Sequence, residues 1–144
     1  MGKRFKNQKE IDNFLETPRL AMLLYNGGRA SPTGVPVWFD WDGKVVRMFA
    51  DKRSPKIRYL RNNPNVSILI TNNVGEVEGW VAFEGKVSVG SFDANEWVAL
   101  IDRMGSRYWD LSDDNYANVI NQWRSAPGAM ASLELTPETI RSGS

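Results

Sequence analysis

The chain has 144 residues, of which 42% are hydrophobic, and it carries a formal net charge of +1. A chain of this size fits one domain with its own core, and its near-neutral charge provides no global field that would recruit nucleic acid. The sequence contains no cysteine and no histidine, which excludes disulfides, thiolate nucleophiles, Ser-His-Asp hydrolysis and nearly all zinc sites.

No apolar run is long enough to span a bilayer, so we expect no membrane partner. The basic segment Met1–Lys6 is not followed by the apolar region of a signal peptide, so a cytoplasmic protein is expected. If the protein is an enzyme, a bound cofactor or the substrate is expected to carry the chemistry, because imidazole and thiol groups are missing.

The N-terminal part of the chain predicts a helix and then a strand. Residues 7–17 are predicted to be helical because Asn7 and Glu10 have the spacing of a capping box. Leu20–Tyr25 is apolar throughout, which is typical of a strand covered on both faces. The Gly-rich loop 26–34 that follows is interpreted as a turn rather than as a ligand contact.

A hairpin is predicted next, because Asp42-Gly43 is a strong hairpin-turn sequence. Val35–Trp41 is expected to form the first strand and Lys44–Ala50 the second. Alternation along the first strand puts Val37 on one face and Trp38 on the other.

The segment after this hairpin predicts a helix start that binds a phosphate-like anion. Ser54 is a favourable N-cap and Pro55 is suited to the first helical position. The amides of Lys56 and Ile57 are then expected to point outward, with Arg53 beside them. The cations at this helix start are Lys52, Arg53, Lys56 and Arg58, and Asp51 is the acid beside them. Cations oppose the helix dipole here, which a bound anion would relieve; a basic turn that is merely solvated is the alternative.

Strands, helices and a final strand are predicted for the rest of the chain. The predicted elements are strands Val66–Thr71 and Trp80–Val89, helices beginning at Asp93 and after Ser112, and a final strand Ala129–Leu135. Gly85, inside the second of these strands, suggests a bulge or a sharp bend, as at the corner of a barrel. Gly105 is expected to be the C′ residue that ends the first helix.

These elements predict one domain over residues 1–144. It comprises an N-terminal helix in 1–18, a barrel core in 20–90 with the anion-binding helix start, helices in 91–125 and a final strand in 129–140. The five or six strands are mostly antiparallel, and closing into a small barrel would avoid exposed strand edges. The expected class is therefore mainly β with flanking helices.

The ordered set of motifs resembles the pyridoxamine-phosphate-oxidase-like superfamily of FMN-binding split barrels. The segments that carry the resemblance are Val35–Gly43, Ser54–Lys56 with Leu60–Ser67, Trp80–Gly85 and, at the C-terminal end, Leu133–Pro137. The resemblance is good from Leu20 to Val89 and looser in the helices. It implies a split antiparallel β-barrel and a homodimer with two FMN sites at the subunit interface.

The resemblance also implies which residues contact the cofactor. Arg53, Ser54 and Lys56 are expected to contact the FMN phosphate, in the segment selected above on physical grounds. The other implied contacts are Val37 and Trp38 under the flavin ring, the strand end Phe49, Ala50 and Asp51 along the flavin, and Trp80. Trp80, Arg107 and Trp109 are the candidates for reaching the partner's flavin.

The missing histidines separate the chain from some branches of this superfamily. Pyridoxine-phosphate oxidases carry an Arg-x-His substrate motif, and the haem-degrading and nitroimidazole-resistance branches also rely on histidine. The expected function is therefore a flavin-dependent oxidoreductase of another kind, with no substrate named by the sequence.

Three alternatives remain open at this point. One is a reductase that uses the deazaflavin F420, whose phosphate and acidic tail would be met by Lys3, Arg4, Lys6, Arg29 and Lys52. Another is a flavin-binding protein without catalysis. The most remote is a nucleic-acid-binding barrel, for which the basic helix face alone is small.

Overall fold

The computed structural model describes residues 4–143; Lys3, one of the cations considered for a deazaflavin, lies outside this range. The helices are α1 Gln8–Glu16, α2 Pro55–Asn62, α3 Ala94–Tyr108 and α4 Asp114–Arg124. The strands are β1 Ala21–Tyr25, β2 Thr33–Val37, β3 Asp40–Trp41, β4 Val46–Asp51, β5 Asn65–Thr71, β6 Trp80–Ser91, β7 Met130–Leu135 and β8 Thr139–Gly143. None of the helices within residues 4–143 combines the length and apolar character that crossing a membrane requires.

All eight strands belong to one antiparallel sheet that curls into a split barrel. The strand order is β2-β1-β5-β6-β7-β4-β3, and β8 pairs with β6 beside this path. The long strand β6 pairs with β8 up to Glu84 and with β7 from Val87 onward, so it changes partner at Gly85. The predicted class, mainly β with flanking helices, is confirmed. Gly85, where a bulge or a sharp bend was predicted, forms no bulge, because its pairing with β5 keeps an unbroken register, and it marks the change of partner.

The barrel interior is filled by alternate residues of the strands, as a period of two requires. In β1 the buried side chains are those of Ala21, Leu23 and Tyr25, and in β5 they are Val66, Ile68 and Ile70. Helix α1 covers this core with Phe14 and Leu15, as expected for an amphipathic helix lying on a sheet. A second cluster, centred on Trp97, Ile101 and Ile120, joins α3 and α4 to the outer side of the barrel.

Two arginines hold the C-terminal end of α1, where carbonyls lack helical partners. Arg107 donates from Nη2 to the carbonyl of Leu15 at 2.7 Å and from Nη1 to that of Glu16 at 2.9 Å. Arg19 donates to the carbonyls of Phe14 and Thr17. Arg107 therefore fixes α1 to the last turn of α3 and is committed to this structural task within its own chain.

The predicted strand Val35–Trp41 is wrong as one continuous element. The structure breaks it at Trp38 and Phe39, so that β2 pairs with β1 and the short β3 pairs with β4. The amide of Phe39 donates to the hydroxyl of Tyr108 at 3.2 Å instead of to a neighbouring strand. The chain crosses here from one half of the barrel to the other, with Phe39 fully buried.

Two further expectations near the C-terminus need correction. Gly105 does not end α3, which continues to Tyr108; a Cβ at Gly105 would lie 3.0 Å from Cδ1 of Ile120, so the glycine serves the close packing of α3 on α4. Residues 129–140 were also predicted to form one final strand. The structure has β7 and β8 there, and β8 pairs with β6 rather than continuing β7.

Candidate functional site

Helix α2 begins as the sequence predicted, with Ser54 as the N-cap and Pro55 in the first turn. The Ser54 hydroxyl accepts a hydrogen bond from the amide of Lys56 at 3.3 Å, and Ile57 and Leu60 anchor the helix in the core. β4 leads directly into this turn, since the amide of Ser54 donates to the carbonyl of Asp51 at 3.0 Å. The strand and the buried helix face together hold the turn at the surface of the barrel.

The expectation that two free amides point outward at this turn is wrong. The amide of Lys56 is taken by the Ser54 hydroxyl, and the amide of Ile57 donates to the Ser54 carbonyl at 3.1 Å. The cap and the tight first turn satisfy both groups internally, as caps usually do. An anion at this place would therefore be held by side chains rather than by the helix N-terminal amides.

Arg53 forms a local ion pair that the sequence analysis did not predict. Its guanidinium donates to the two carboxylate oxygens of Asp51 at 3.1 and 2.9 Å, and the Arg53 side chain is 90% exposed. The hydrogen bond from the Arg53 side chain lowers the pKa of Asp51 to about 2. Asp51 thus offsets Arg53 and leaves the other cations of this region without a carboxylate.

Two surface cavities flank the Ser54–Pro55 turn, and both residues line each of them. The first, which we call the Lys56 cavity, has a volume of about 420 Å³. Its other lining residues are Tyr25, Gly27, Arg29, Thr33, Val35, Lys56 and Tyr59. The second, which we call the Arg61 cavity, has a volume of about 480 Å³ and is lined by Lys52, Arg53, Ile57, Arg58, Arg61 and Asn62. Arg53 and Lys56, predicted to share one phosphate, line different cavities.

Lys56 is the cation with the most unusual surroundings. Its side chain is half-buried, and burial lowers the pKa of its ammonium group. Among residues 4–143, no carboxylate lies within ion-pair distance of it. A charge removed from water without a partner is costly, so the Lys56 cavity is electrostatically suited to an anion.

Arginines without a carboxylate partner also lie around these two cavities. The arginines in ion pairs are Arg19, Arg47, Arg53, Arg103, Arg124 and Arg141. Arg4 and Arg107 donate to backbone carbonyls. Within the described part of the chain, Arg29, Arg58 and Arg61 have neither kind of partner, and all three line the two cavities. The arginines with neither a carboxylate nor a backbone carbonyl as partner are therefore concentrated around Ser54 and Pro55.

The loop 26–34 was interpreted as a turn, but Gly27, Arg29 and Thr33 of this segment line the Lys56 cavity. Gly28 has a φ of +75°, and a Cβ there would lie 2.8 Å from Cε1 of Tyr59. Glycine is thus required for the loop to approach Tyr59 and bring Arg29 to the cavity. The Gly27-Gly28 pair was the sequence feature that pointed to this close approach.

The predicted ring contacts Val37 and Trp38 lie at the end of β2 that leads away from this cavity. Val35 lines the Lys56 cavity, Val37 packs against the barrel core and Trp38 enters an aromatic cluster. Trp38 stacks on Tyr108 with ring centroids 4.9 Å apart and meets Trp109 edge-on at 4.8 Å. The edge strand β2 thus runs from the cations to an aromatic surface. A molecule with a phosphate joined to a planar ring could contact the cations with its phosphate and the aromatic surface with its ring.

The three residues at the end of β4 point in different directions. Phe49 faces outward into the aromatic cluster, 6.3 Å from Trp38 between ring centroids. Ala50 faces inward and is buried in the barrel core, and Asp51 faces the Ser54 turn. Phe49 and Trp38 are therefore brought together, whereas Ala50 could meet a ligand only through its backbone.

Trp80 is not brought near these residues within one chain. It lies at the start of β6, beside Thr71 of β5 and over Arg141 of β8. Its neighbour Val81 is aligned with Val37 across β5 and β1, so three strand spacings separate them. Arg107 is committed to α1, and Trp109 stacks on Tyr116 with centroids 4.8 Å apart. Of the three candidates for a contact across subunits, Trp80 is the one that neither holds the end of a helix nor belongs to the aromatic cluster of α3 and α4.

The arrangement supports electrostatic binding of a phosphate-bearing planar molecule. It offers cations and hydroxyl groups at the cavities and aromatic rings at the far end of β2. Among residues 4–143 there is no cluster of three or more acidic side chains that would hold a metal ion.

Comparison with sequence families and with solved structures places this geometry in context. The family described as pyridoxamine 5'-phosphate oxidase matches residues 8–142. A comparison with curated protein sequences gives no match.

Three solved structures illustrate the range of proteins with this fold. HutZ, the heme storage protein from Vibrio cholerae, has a TM-score of 0.70 and 18% identity, covering 94% of this chain and 93% of its own. A FAD-binding protein from Mesorhizobium loti has a TM-score of 0.64 and 19% identity, covering 94% and 91%. An F420 reductase has a TM-score of 0.66 and 19% identity, covering 90% and 94%. At these identities the likeness is one of fold.

Proposed function

Since the chain belongs to the pyridoxamine 5'-phosphate oxidase family, we propose that it is a flavin-dependent oxidoreductase that binds FMN. In this proposal the FMN phosphate lies in the Lys56 cavity, held by Ser54 and Lys56, with Arg29 as a further cation. The flavin ring extends along β2 toward Val37 and Trp38, and Phe49 borders it from β4.

One observation carries this proposal. Lys56, Arg29, Arg58 and Arg61 have no carboxylate partner within residues 4–143, and they surround one turn of the structure. Charge-assisted hydrogen bonds to phosphate are about twice as strong as neutral ones. A phosphate in the Lys56 cavity would neutralise the charge of Lys56 and Arg29, which the described part of the fold leaves without a carboxylate.

The composition agrees with this assignment. Bound FMN would supply a hydride acceptor, so the chain needs no histidine or cysteine for the redox step. The protein's own residues would bind the phosphate, orient the ring and keep water from the ring face with aromatic side chains. Oxidation of vitamin B6 is not proposed, because the Arg-x-His substrate motif is missing.

We also propose that the protein is a homodimer. The outer face of the sheet carries apolar side chains that no other element of the described chain covers: Leu20, just before β1, is 54% exposed and Met22 is 38% exposed. Met22 lies between Pro36 of β2 and Leu69 of β5, so the apolar side chains are contiguous across three strands. A second copy of the chain covering this face would bring its own residues to the flavin site, with Trp80 as the candidate. The cytoplasmic location stays a prediction, which cell fractionation would test.

The direct test is titration of the purified protein with FMN, following quenching of flavin fluorescence. We expect saturable binding and, with NADH or NADPH as electron donor, reduction of the bound flavin. A protein that shows no flavin spectrum after incubation with FMN and removal of free ligand would contradict the proposal. Tight binding without turnover by NADH, NADPH or reduced F420 would instead favour a non-catalytic flavin-binding protein.

A reductase that uses F420 is the second candidate. It is favoured by the basic Arg61 cavity next to the Lys56 cavity and by the fold shared with an F420 reductase. Parallel titration with FMN and F420 and comparison of the dissociation constants would distinguish the two cofactors.

A further inference from the structure

Lys56 differs from the other lysines of the described chain in its exposure to solvent. The lysines within residues 4–143 are Lys6, Lys9, Lys44, Lys52, Lys56 and Lys86, and Lys56 alone among them is not exposed. Removal from water disfavours the charged ammonium form, so burial lowers the pKa of Lys56. Its amine is therefore neutral more often than that of a fully hydrated lysine, and the neutral amine is the nucleophilic form.

This half-buried amine is still open to small molecules, because Lys56 lines a surface cavity of about 420 Å³. No aspartate or glutamate lines this cavity, so no carboxylate there holds the amine in its charged form. The hydroxyl groups of Thr33 and Tyr59 belong to the same cavity. Arg58 donates to the Tyr59 hydroxyl at 3.3 Å, which leaves that hydroxyl its own hydrogen for donation to a bound oxygen atom. The cavity thus combines a readily deprotonated lysine with space and hydrogen-bond donors for a small reagent.

We propose that Lys56 is a site of acylation by small activated acyl compounds, namely acyl phosphates or thioesters, when no cofactor fills the cavity. In this step the neutral Nζ attacks the acyl carbon and forms an amide bond. The bond from that carbon to the phosphate oxygen or the thiol sulfur breaks, and the leaving group departs with the electron pair. The proton released from the amine passes to water, and no oxidant or reductant takes part.

Acylation would control how the same site takes up its cofactor, and this part of the inference rests on the proposed function. An acylated lysine has lost its positive charge, and the added group fills part of the cavity. FMN and the acyl donor would therefore compete for Lys56, since bound phosphate shields Nζ and an acylated Nζ no longer holds phosphate. Lys52, which is exposed and lines the Arg61 cavity on the other side of the Ser54 turn, is the internal comparison.

The first experiment treats the full-length protein, freed of cofactor, with acetyl phosphate or with an acetyl thioester. Acetylation of each lysine is followed over time by peptide mass spectrometry. We expect Lys56 to react faster than Lys52 by at least about threefold, because burial raises the neutral fraction of its amine. FMN at about ten times its dissociation constant is expected to slow the reaction at Lys56 by about tenfold, the factor by which it depletes the free site. The rate at Lys52 should not change.

The second experiment measures FMN affinity before and after acetylation, by flavin fluorescence titration. The variants Lys52→Arg and Lys56→Arg each keep a positive charge and remove one amine. Wild type and Lys52→Arg are expected to lose FMN binding in proportion to the fraction of Lys56 that is acetylated. Lys56→Arg is expected to bind FMN equally well before and after treatment, whatever its initial affinity.

Acetylation of Lys56 that is no faster than that of Lys52 with either donor would overturn the acylation site and leave the proposed function standing. Rapid acetylation of Lys56 that bound FMN does not slow would overturn the competition and place the FMN phosphate outside the Lys56 cavity. If the protein binds no FMN, the proposed function fails, whereas selective acetylation of Lys56 still supports the modification site. Selective reaction with one donor alone identifies the class of acyl compound that the cavity accepts.

Discussion

Lys56 is the residue on which the electrostatics of the candidate site depend most. Burial lowers the pKa of its ammonium group, and no carboxylate of the described chain lies within ion-pair distance. A bound phosphate would replace the lost hydration and favour the charged form. Since the amides of the first turn are engaged by Ser54, this ammonium group has to supply most of the binding that helix amides were expected to supply.

Replacing Lys56 with alanine is predicted to weaken FMN binding by roughly 1.5–3 kcal/mol, the value of a hydrogen bond to a charged group. Riboflavin has the same ring but no phosphate, so its affinity should hardly change. Both affinities are measured by flavin fluorescence titration. Lys44→Ala, an exposed lysine in the turn after β3, serves as the control and should leave both unchanged.

An equal loss of affinity for FMN and riboflavin would contradict this prediction, since it would place Lys56 beside the ring. The pH dependence gives an independent check. The ammonium group holds the phosphate only while it is protonated, so FMN affinity should be highest while the phosphate is a dianion and Lys56 is charged, and fall as the pH rises through the lowered pKa of Lys56. The fall should be missing in Lys56→Ala.

At the scale of elements, the connection between β5 and β6 is fastened to the N-terminal helix by Arg19. The guanidinium lies over the ring of Phe14, donates to two carbonyls at the end of α1 and pairs with Glu76 at 2.8 Å. The side chain of Arg19 is only 4% exposed, so its charge depends on these partners. Loss of the Glu76 carboxylate would leave a buried cation without an anion.

This ion pair predicts an acid-sensitive contribution to stability. The hydrogen bond from Arg19 lowers the pKa of Glu76 below its usual value. A carboxyl group with a lowered pKa in the folded state stabilises the fold above its unfolded pKa, about 4.3, and this stability is lost as the pH falls through the folded value. Glu76→Gln should therefore lower the melting temperature near neutral pH and reduce its fall below pH 5.

The control for this experiment is Glu78→Gln, in the same connection but without an ion pair among the described residues. It should reproduce the wild-type melting curve at each pH. Melting followed by circular dichroism between pH 3 and 7 distinguishes the variants. If Glu76→Gln keeps the wild-type dependence on pH, the acid sensitivity arises elsewhere in the molecule.

Most elements of this fold follow from local sequence, and the exceptions are set by distant contacts. The start of α2 is local, because Ser54 and Pro55 cap the helix wherever it packs. The break at Trp38 and Phe39 is not local, since it depends on Tyr108, about 70 positions away along the chain, accepting the Phe39 amide. The reason for a glycine at position 105 inside α3 is likewise distant, since a Cβ there would meet Ile120 of α4.

The same distinction applies to the candidate site. Ser54 and Lys56 were identified from the cap pattern, and the structure brings them together. The assignment of Arg29 to the same cavity required the fold, because loop 26–32 reaches Tyr59 only through the pairing of β1 with β2. The ion pair between Arg53 and Asp51 could not be predicted, because the sequence shows that both charges lie in one turn but not how the two side chains are oriented.

At the scale of the whole molecule, the outer face of the sheet is the surface that a monomer explains least. Inward residues of β1 and β5 fill the barrel, and the outward residues on the same strands include Met22, Leu24 and Leu69. Antiparallel sheets that face water on one side usually carry polar residues there. Contiguous exposed apolar surface commonly marks an interface, which is why a second copy of this chain is proposed to cover it.

A charge in the middle of this face should dissociate the proposed dimer. Wild-type protein is expected to show twice the 16.3 kDa mass of the chain in light scattering coupled to gel filtration, and Met22→Lys to show one chain mass, because burying an unpaired ammonium group is costly. Asn118→Lys, which adds the same charge at an exposed position of α4, should remain dimeric. Unchanged circular dichroism would show that Met22→Lys still folds, as expected for a side chain outside the barrel core.

If the flavin site includes the partner's Trp80, the monomeric variant should also lose FMN affinity while Asn118→Lys keeps it. A wild type that remains at one chain mass across the concentration range would rule out the dimer, whereas a Met22→Lys dimer would move the interface to another face.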